Sequence, residues 1–127
     1  MAKTVDLELK KAFAELHQKL TDTTHKMKLA DEEISCLKMS MHHARLTDSE
    51  ITRLDPGTKV YESVGRMFLL TDIPNVRNSL QNKLQNCAEK IKVLENNKSY
   101  LERSQKDSEN NIREMIQQRR EKAQETN

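Results

Sequence analysis

Turn-forming and aromatic residues are scarce in this chain: 127 residues include two glycines, two prolines, two tyrosines, two phenylalanines and no tryptophan. So little core material and so few turn residues exclude a compact globule with several packed layers. No sign of charge dominates either. Lys and Arg number 22 against 20 Asp and Glu, a net charge of +2, which gives no electrostatic basis for binding nucleic acid or an anionic membrane. No apolar run is long enough to span a bilayer. The opening residues MAKTVDLELKKAFAEL interleave acidic and basic side chains where a signal peptide would need an apolar stretch. Two cysteines, Cys36 and Cys87, suit free thiols in a reducing compartment. These absences together lead us to expect a cytoplasmic protein.

Motifs that carry chemistry are missing too. There is no glycine-rich phosphate loop, no His-Glu-x-x-His and no paired cysteine ligands. His17, His25, His42 and His43 are scattered along one helical pattern, and the adjacent pair points to different faces. They read as solvated surface. Arg119-Arg120-Glu121-Lys122 is a basic cluster broken by glutamate, a poor phosphate-binding surface. Asn97-Lys98-Ser99 matches a glycosylation sequon by chance, in mid-helix. No enzyme, cofactor or metal is expected.

What is present is charge and period. A third of the residues (33%) are charged and the mean hydropathy is −0.89, yet the apolar residues keep register. Leu9, Phe13, Leu16, Leu20, Thr23, Met27, Ala30, Ile34, Leu37, Met41 and Ala44 follow alternating steps of four and three. Disorder has no reason to preserve such spacing, so these residues form the seam of a coiled-coil helix over about 5–45. A second seam runs through Ile73, Leu80, Leu84, Cys87, Ile91, Leu94, Leu101, Ile112 and Met115 in a helix over about 74–122, with 123–127 a tail. Lys98, Gln105 and Ser108 are polar residues at seam positions, which weaken contact and can specify register.

The stretch between the helices, 46–73, has a different chemistry. Thr47-Asp48-Ser49-Glu50 reads as a capping box opening a short helix that ends at Asp55-Pro56-Gly57. Val60, Tyr61, Val64, Met67, Phe68, Leu69 and Leu70 favour extended backbone, and Gly65 can take positive φ. We expect a β-hairpin with strands at about 59–62 and 66–70 and a polar tip, Glu62-Ser63-Val64-Gly65. A lone hairpin is marginal in water, and its apolar content exceeds what two helix ends can cover. Edge pairing with other subunits is favoured over a mere plug for the coil.

Helices joined by so compact an insertion fold back antiparallel. One register sets Leu37 against Leu84 and Leu20 against Leu101, bringing Lys10 near Glu109, and it leaves the insertion room to stand clear. A register one heptad away instead sets Thr23 against Gln105. The first is preferred. At the free ends Val5, Leu7, Leu9 and Phe13 face Ile112, Met115 and Ile116, with Leu7 and Ile116 off the seam and therefore exposed. Such residues suit either loose contact with nonnative chains or ordinary end packing.

The order of features resembles the prefoldin family. The residues that carry it are VDLELKKAF at 5–13, KLAD at 28–31, LTDSEI at 46–51, VYESVGRMF at 60–68, KSYLER at 98–103 and NIREM at 111–115. They span nearly the whole chain, and the hairpin string is the specific part. The single hairpin is similar to β-type subunits, since α-type subunits carry two. Asp55-Pro56-Gly57 and Thr71–Asn75 depart from the family pattern. The resemblance implies one prefoldin-like domain that is mainly α, a long antiparallel two-helix coiled coil joined by a short helix and one β-hairpin. It also implies a heterohexamer of two α-type and four β-type subunits whose hairpins form β-barrels. By the same resemblance the arm tips hold unfolded actin and tubulin and pass them to the cytosolic chaperonin without ATP. A structural tether or scaffold that holds no unfolded client is the alternative.

Overall fold

The computed structural model describes the backbone of residues 2–125 and the side chains of residues 7–125. Four elements follow in order: α1 (Ala2–Thr52), β1 (Val60–Val64), β2 (Met67–Thr71) and α2 (Ile73–Glu125). They fall into two compact units. A hairpin unit comprises residues 32–94, and a terminal unit combines the residues up to Asp31 with those from Glu95.

Both helices are long because nothing in them stops a helix. The first proline and glycine of the chain are Pro56 and Gly57, so α1 meets no breaker before Thr52. The capping box expected at Thr47 therefore does not open a new helix. Thr47 Oγ1 donates to the His43 carbonyl at 2.9 Å and Thr52 Oγ1 to the Asp48 carbonyl at 2.7 Å, hydroxyls folded back onto an uninterrupted turn. A capping residue needs the chain to arrive in a non-helical conformation, and here it arrives already helical. The helix ends by tightening, with Arg53 N–H to Glu50 O and Leu54 N–H to Ile51 O at 3.2 and 3.1 Å. Thr58 N–H then closes a turn on Asp55 O at 3.0 Å, with Pro56 and Gly57 at its centre. Pro74 sits in the first turn of α2, where its missing donor is not needed.

In the hairpin the register is Val60↔Thr71, Tyr61↔Leu70, Glu62↔Leu69, Ser63↔Phe68 and Val64↔Met67. The loop is therefore Gly65-Arg66 alone, and Glu62, Ser63 and Val64 lie in β1 rather than at a four-residue tip. Gly65 carries φ 61, and no described non-glycine residue has positive φ. This is the pattern of a two-residue turn with glycine first, whose twist suits the strands on either side. Val64, β-branched, belongs in the extended strand that the turn closes.

Within the terminal unit the helices run antiparallel, because partners ascend α1 as they descend α2. Glu8 pairs with Arg119 at 3.6 Å, Lys19 Nζ donates to Ser108 Oγ at 2.7 Å, and Asp31 pairs with Lys98. This is the register one heptad from the preferred one: Lys19 lies beside Ser108, and Leu20 is not opposite Leu101. Polar residues explain the choice. Lys98 and Ser108 are half-buried at the seam, and in this register each has a polar partner, Asp31 and Lys19, worth more than a leucine facing Leu101. In the hairpin unit, Arg77 Nε donates to Asp48 Oδ1 at 3.1 Å, joining the last turns of α1 to the second turn of α2. Ile34, Ala44 and Cys87 are its buried apolar residues. Among the described residues no large side chain is fully buried, as two helices alone dictate.

The seam near the start of α1 differs from the sequence reading at one place. Phe13 is 43% exposed and Ala12 is half-buried, lining a hollow with Leu16, Ser108 and Ile112. The smaller side chain faces α2 and the ring lies at the edge.

Candidate assembly hairpin and arm surfaces

The pairing of β1 with β2 sorts the hairpin side chains onto two faces, because directly opposed residues point the same way. One face carries Val60, Glu62, Val64, Met67, Leu69 and Thr71, and the other Tyr61, Ser63, Phe68 and Leu70. Neither is polar. A half-buried hairpin would alternate apolar and polar; here both faces hold large apolar groups. Nor does the single chain cover them. Every residue from Tyr61 to Leu70 is exposed, with Phe68 at 72%, and only Val60 and Thr71 at the base are half-buried. The sheet has two strands, so each strand presents one unpaired edge. All eight residues expected to join subunits (Val60, Tyr61, Val64, Gly65, Met67, Phe68, Leu69 and Leu70) lie together on this element.

The residues expected at the free ends fare differently. The side chain of Val5 lies outside the described residues. Leu7 is 63% exposed and Phe13 is exposed, whereas Leu9 and Met115 are half-buried and Ile112 is buried. Ile116, expected to be exposed, is half-buried. Its position on α2 follows Met115, and the seam is broad enough here to cover both. The apolar surface left open by these residues is on α1, at Leu7 and Phe13.

Between the ends of the terminal unit the α2 seam is polar. The hydrogen bond from Lys98 to Asp31 holds the Lys98 ammonium above its usual range, Glu102 and Glu95 add to this, and partial burial opposes it. Sequence reasoning marked Lys98, Gln105 and Ser108 as seam positions but missed Asp31 and Lys19 as the partners of Lys98 and Ser108. Both are charged residues beside the seam, and the sequence signal for them was the alternative register. Among the described residues no group of His, Cys, Asp and Glu could hold a metal ion, and no helix is long and apolar enough to cross a membrane. Cys36 is exposed and Cys87 buried, and both are free thiols.

Comparison with known proteins gives a consistent picture. A family model described as "Prefoldin subunit" matches residues 8–119. The chain is 54% identical over 120 residues to Prefoldin subunit 1 of Bos taurus, covering 94% of this chain and 98% of that protein. It is 53% identical to Prefoldin subunit 1 of Homo sapiens over the same length and coverage. Probable prefoldin subunit 1 of Caenorhabditis elegans is 36% identical over 115 residues, 91% of this chain and 98% of that protein. Among solved structures, the prefoldin beta subunit from Thermococcus strain KS-1 superimposes with a TM-score of 0.69 at 17% identity, covering 84% of this chain and 90% of that one. That likeness is one of fold: two long helices joined by a two-stranded antiparallel hairpin.

Proposed function

The chain belongs to the prefoldin family, and from that premise we propose that its hairpin joins it to neighbouring subunits while its helix ends hold unfolded proteins. Prefoldin subunits are chaperone components that assemble with one another, and this chain is no enzyme. The observation that carries the finer reading is the hairpin, whose two faces are apolar and whose two edges are unpaired. An element so built is stable only when other strands and side chains cover it. In this reading it contributes to the β-barrels of a heterohexamer of two α-type and four β-type subunits.

The arms then supply the grip. Leu7 and Phe13 offer apolar contact, and Leu9, Met115, Ile116 and Ile112 reach a client as the helix ends fray. Each contact is weak. Several arms acting together raise the effective concentration, so no deep pocket is required. The clients in this reading are unfolded actin and tubulin, passed in the cytoplasm to the cytosolic chaperonin without ATP or any cofactor.

The test is aggregation suppression by the reconstituted complex. Replacing Leu7, 63% exposed and of little consequence for folding, and Phe13, at the edge of the seam, by Ser leaves assembly intact and weakens protection of denatured actin severalfold. Unaltered protection would leave the chain as a structural subunit, with client binding supplied by its neighbours.

A further inference from the structure

A chain in which 33% of residues are charged has little uncharged surface to spare. One stretch of the hairpin unit nevertheless lacks charge for about three helical turns. On α1, Cys36, Met39, His43 and Leu46, flanked by Ser35 and His42, point away from the seam formed by Ile34, Leu37, Met41 and Ala44. They are not covered within the chain: Met39 is 71% and Leu46 54% exposed, and Cys36 is exposed as well. Lys38 and Arg45 fall outside this face, beside the seam. At the end of the hairpin unit, one step of four before Cys36, Glu32 restores the charge. Beyond the other end Glu50 does the same.

The spacing identifies what kind of surface this is. Residues 36, 39, 43 and 46 are separated by three, four and three, the step of a coiled-coil seam and not of a strand-binding groove. The face opposite already holds α2. A two-helix arm needs one seam per helix, so a second on the far side of α1 fits a third helix. Its length and place say which one. From Cys36 to Leu46 the stripe runs ~15 Å, and Leu46 lies ~9 Å from the helix end at Thr52, where the chain turns into the hairpin. A neighbour joined through the hairpin starts its own helices from the same sheet, so its helix can reach this part of α1 first.

We infer that the outward stripe of α1 at Cys36, Met39, His43 and Leu46 packs against the hairpin-proximal helix of an adjoining prefoldin subunit, extending the assembly contact beyond the strands. The inference rests on the reading of the hairpin as the assembly element. It is tested in the complex co-expressed with its partner subunits. A photo-crosslinking amino acid replacing Met39 forms its adduct with a helix of a neighbouring subunit, mapped by mass spectrometry. Met39→Glu with Leu46→Glu weakens assembly at least tenfold on dilution, while the isolated chain keeps its helical circular dichroism because both side chains are exposed. Met39→Gln with Leu46→Gln, which adds no charge, weakens it less. An adduct with a second copy of this chain, with client protein or with solvent alone overturns the inference. So does a double-glutamate complex as stable as the parent. A Phe68→Ser chain distinguishes the two levels: if it fails to assemble while the double-glutamate chain assembles normally, the hairpin stands and the stripe falls. If Phe68→Ser assembles normally, the hairpin reading fails and the stripe loses its premise.

Discussion

Phe68 permits the sharpest separation between what holds one chain together and what holds several. Its side chain is 72% exposed and opposes the small Ser63 across the hairpin. For a phenylalanine of ~200 Å², roughly 140 Å² is uncovered. Burial of that area in an assembly, at ~25 cal/mol per Å², contributes about 3.5 kcal/mol. That corresponds to about 300-fold in an association constant. The part already covered in the single chain, roughly 60 Å², bounds the loss of its own stability at about 1.5 kcal/mol. Phe68→Ser is therefore expected to leave the isolated chain helical with a slightly lower melting temperature, yet to weaken assembly by about two orders of magnitude. Both quantities are measurable: thermal unfolding followed at 222 nm by circular dichroism (the helical band), and the mass of the co-expressed complex on serial dilution. Equal losses in the two assays, or a complex that survives dilution unchanged, would refute the reasoning, because the side chain would then be serving the monomer or nothing.

Other perturbations address other elements. At Gly65 a Cβ meets nothing within 4 Å, so the cost of Gly65→Val comes from positive φ alone; it should be about 1–2 kcal/mol, with Gly65→Asn well below that, and equal effects on hairpin-dependent assembly would argue against the turn assigned here. Lys98 is raised by its hydrogen bond to Asp31, so the stabilisation from this pair is fully present below the free-lysine value of 10.5 and is lost as pH rises through the higher folded value. Asp31→Asn should remove that part of the alkaline transition, and an alkaline midpoint identical to the parent's would contradict it. Disulfide trapping between Lys19→Cys and Ser108→Cys should be efficient in the parent background and fall when Asp31→Asn and Lys98→Met are added. Trapping that does not change would show that the apolar seam alone sets the register. Amides of α2 around Gln105 should exchange faster than those around Leu84, because the seam there is polar; equal protection would count against a loosened contact.

The long helices and the hairpin could be read from sequence because each depends on local signals that nothing overrides. Apolar spacing with no breaker defines α1 and α2, and Pro56, Gly57 and Gly65 mark the points where that pattern must fail. The capping box at Thr47 misled for a related reason. Its side chains satisfy the motif, but a cap acts only where the preceding residue leaves the helical region, and Leu46 has no cause to do so. Phe13 and Ala12 show the limit of spacing alone: a step of three or four from Leu9 reaches either, and the choice depends on which volume fits against Ile112. The register was hidden because it is decided between helices distant in sequence. Apolar matching and polar matching gave two answers a heptad apart, and the polar one prevailed because it gives the seam residues Lys98 and Ser108 the Asp31 carboxylate and the Lys19 ammonium as partners.

The same comparison bears on why this chain should need partners at all. Its seams cover residues such as Ile34, Cys87 and Ile112 but fully bury no large side chain among those described, so the helices contribute little stability in excess of their ordering entropy. Most of the large apolar side chains of residues 60–70 remain in water. Association that removes them from water adds to the stability of the fold as well as to the complex, by mass action on the native state. The melting temperature of the chain should then rise with the concentration of its partner subunits. A Phe68→Ser chain, which keeps its helices but loses its anchor, should show a much smaller rise. If partner subunits raised the melting temperatures of parent and variant alike, the stabilising contact would lie elsewhere on the chain, and the exposed hairpin would need another explanation.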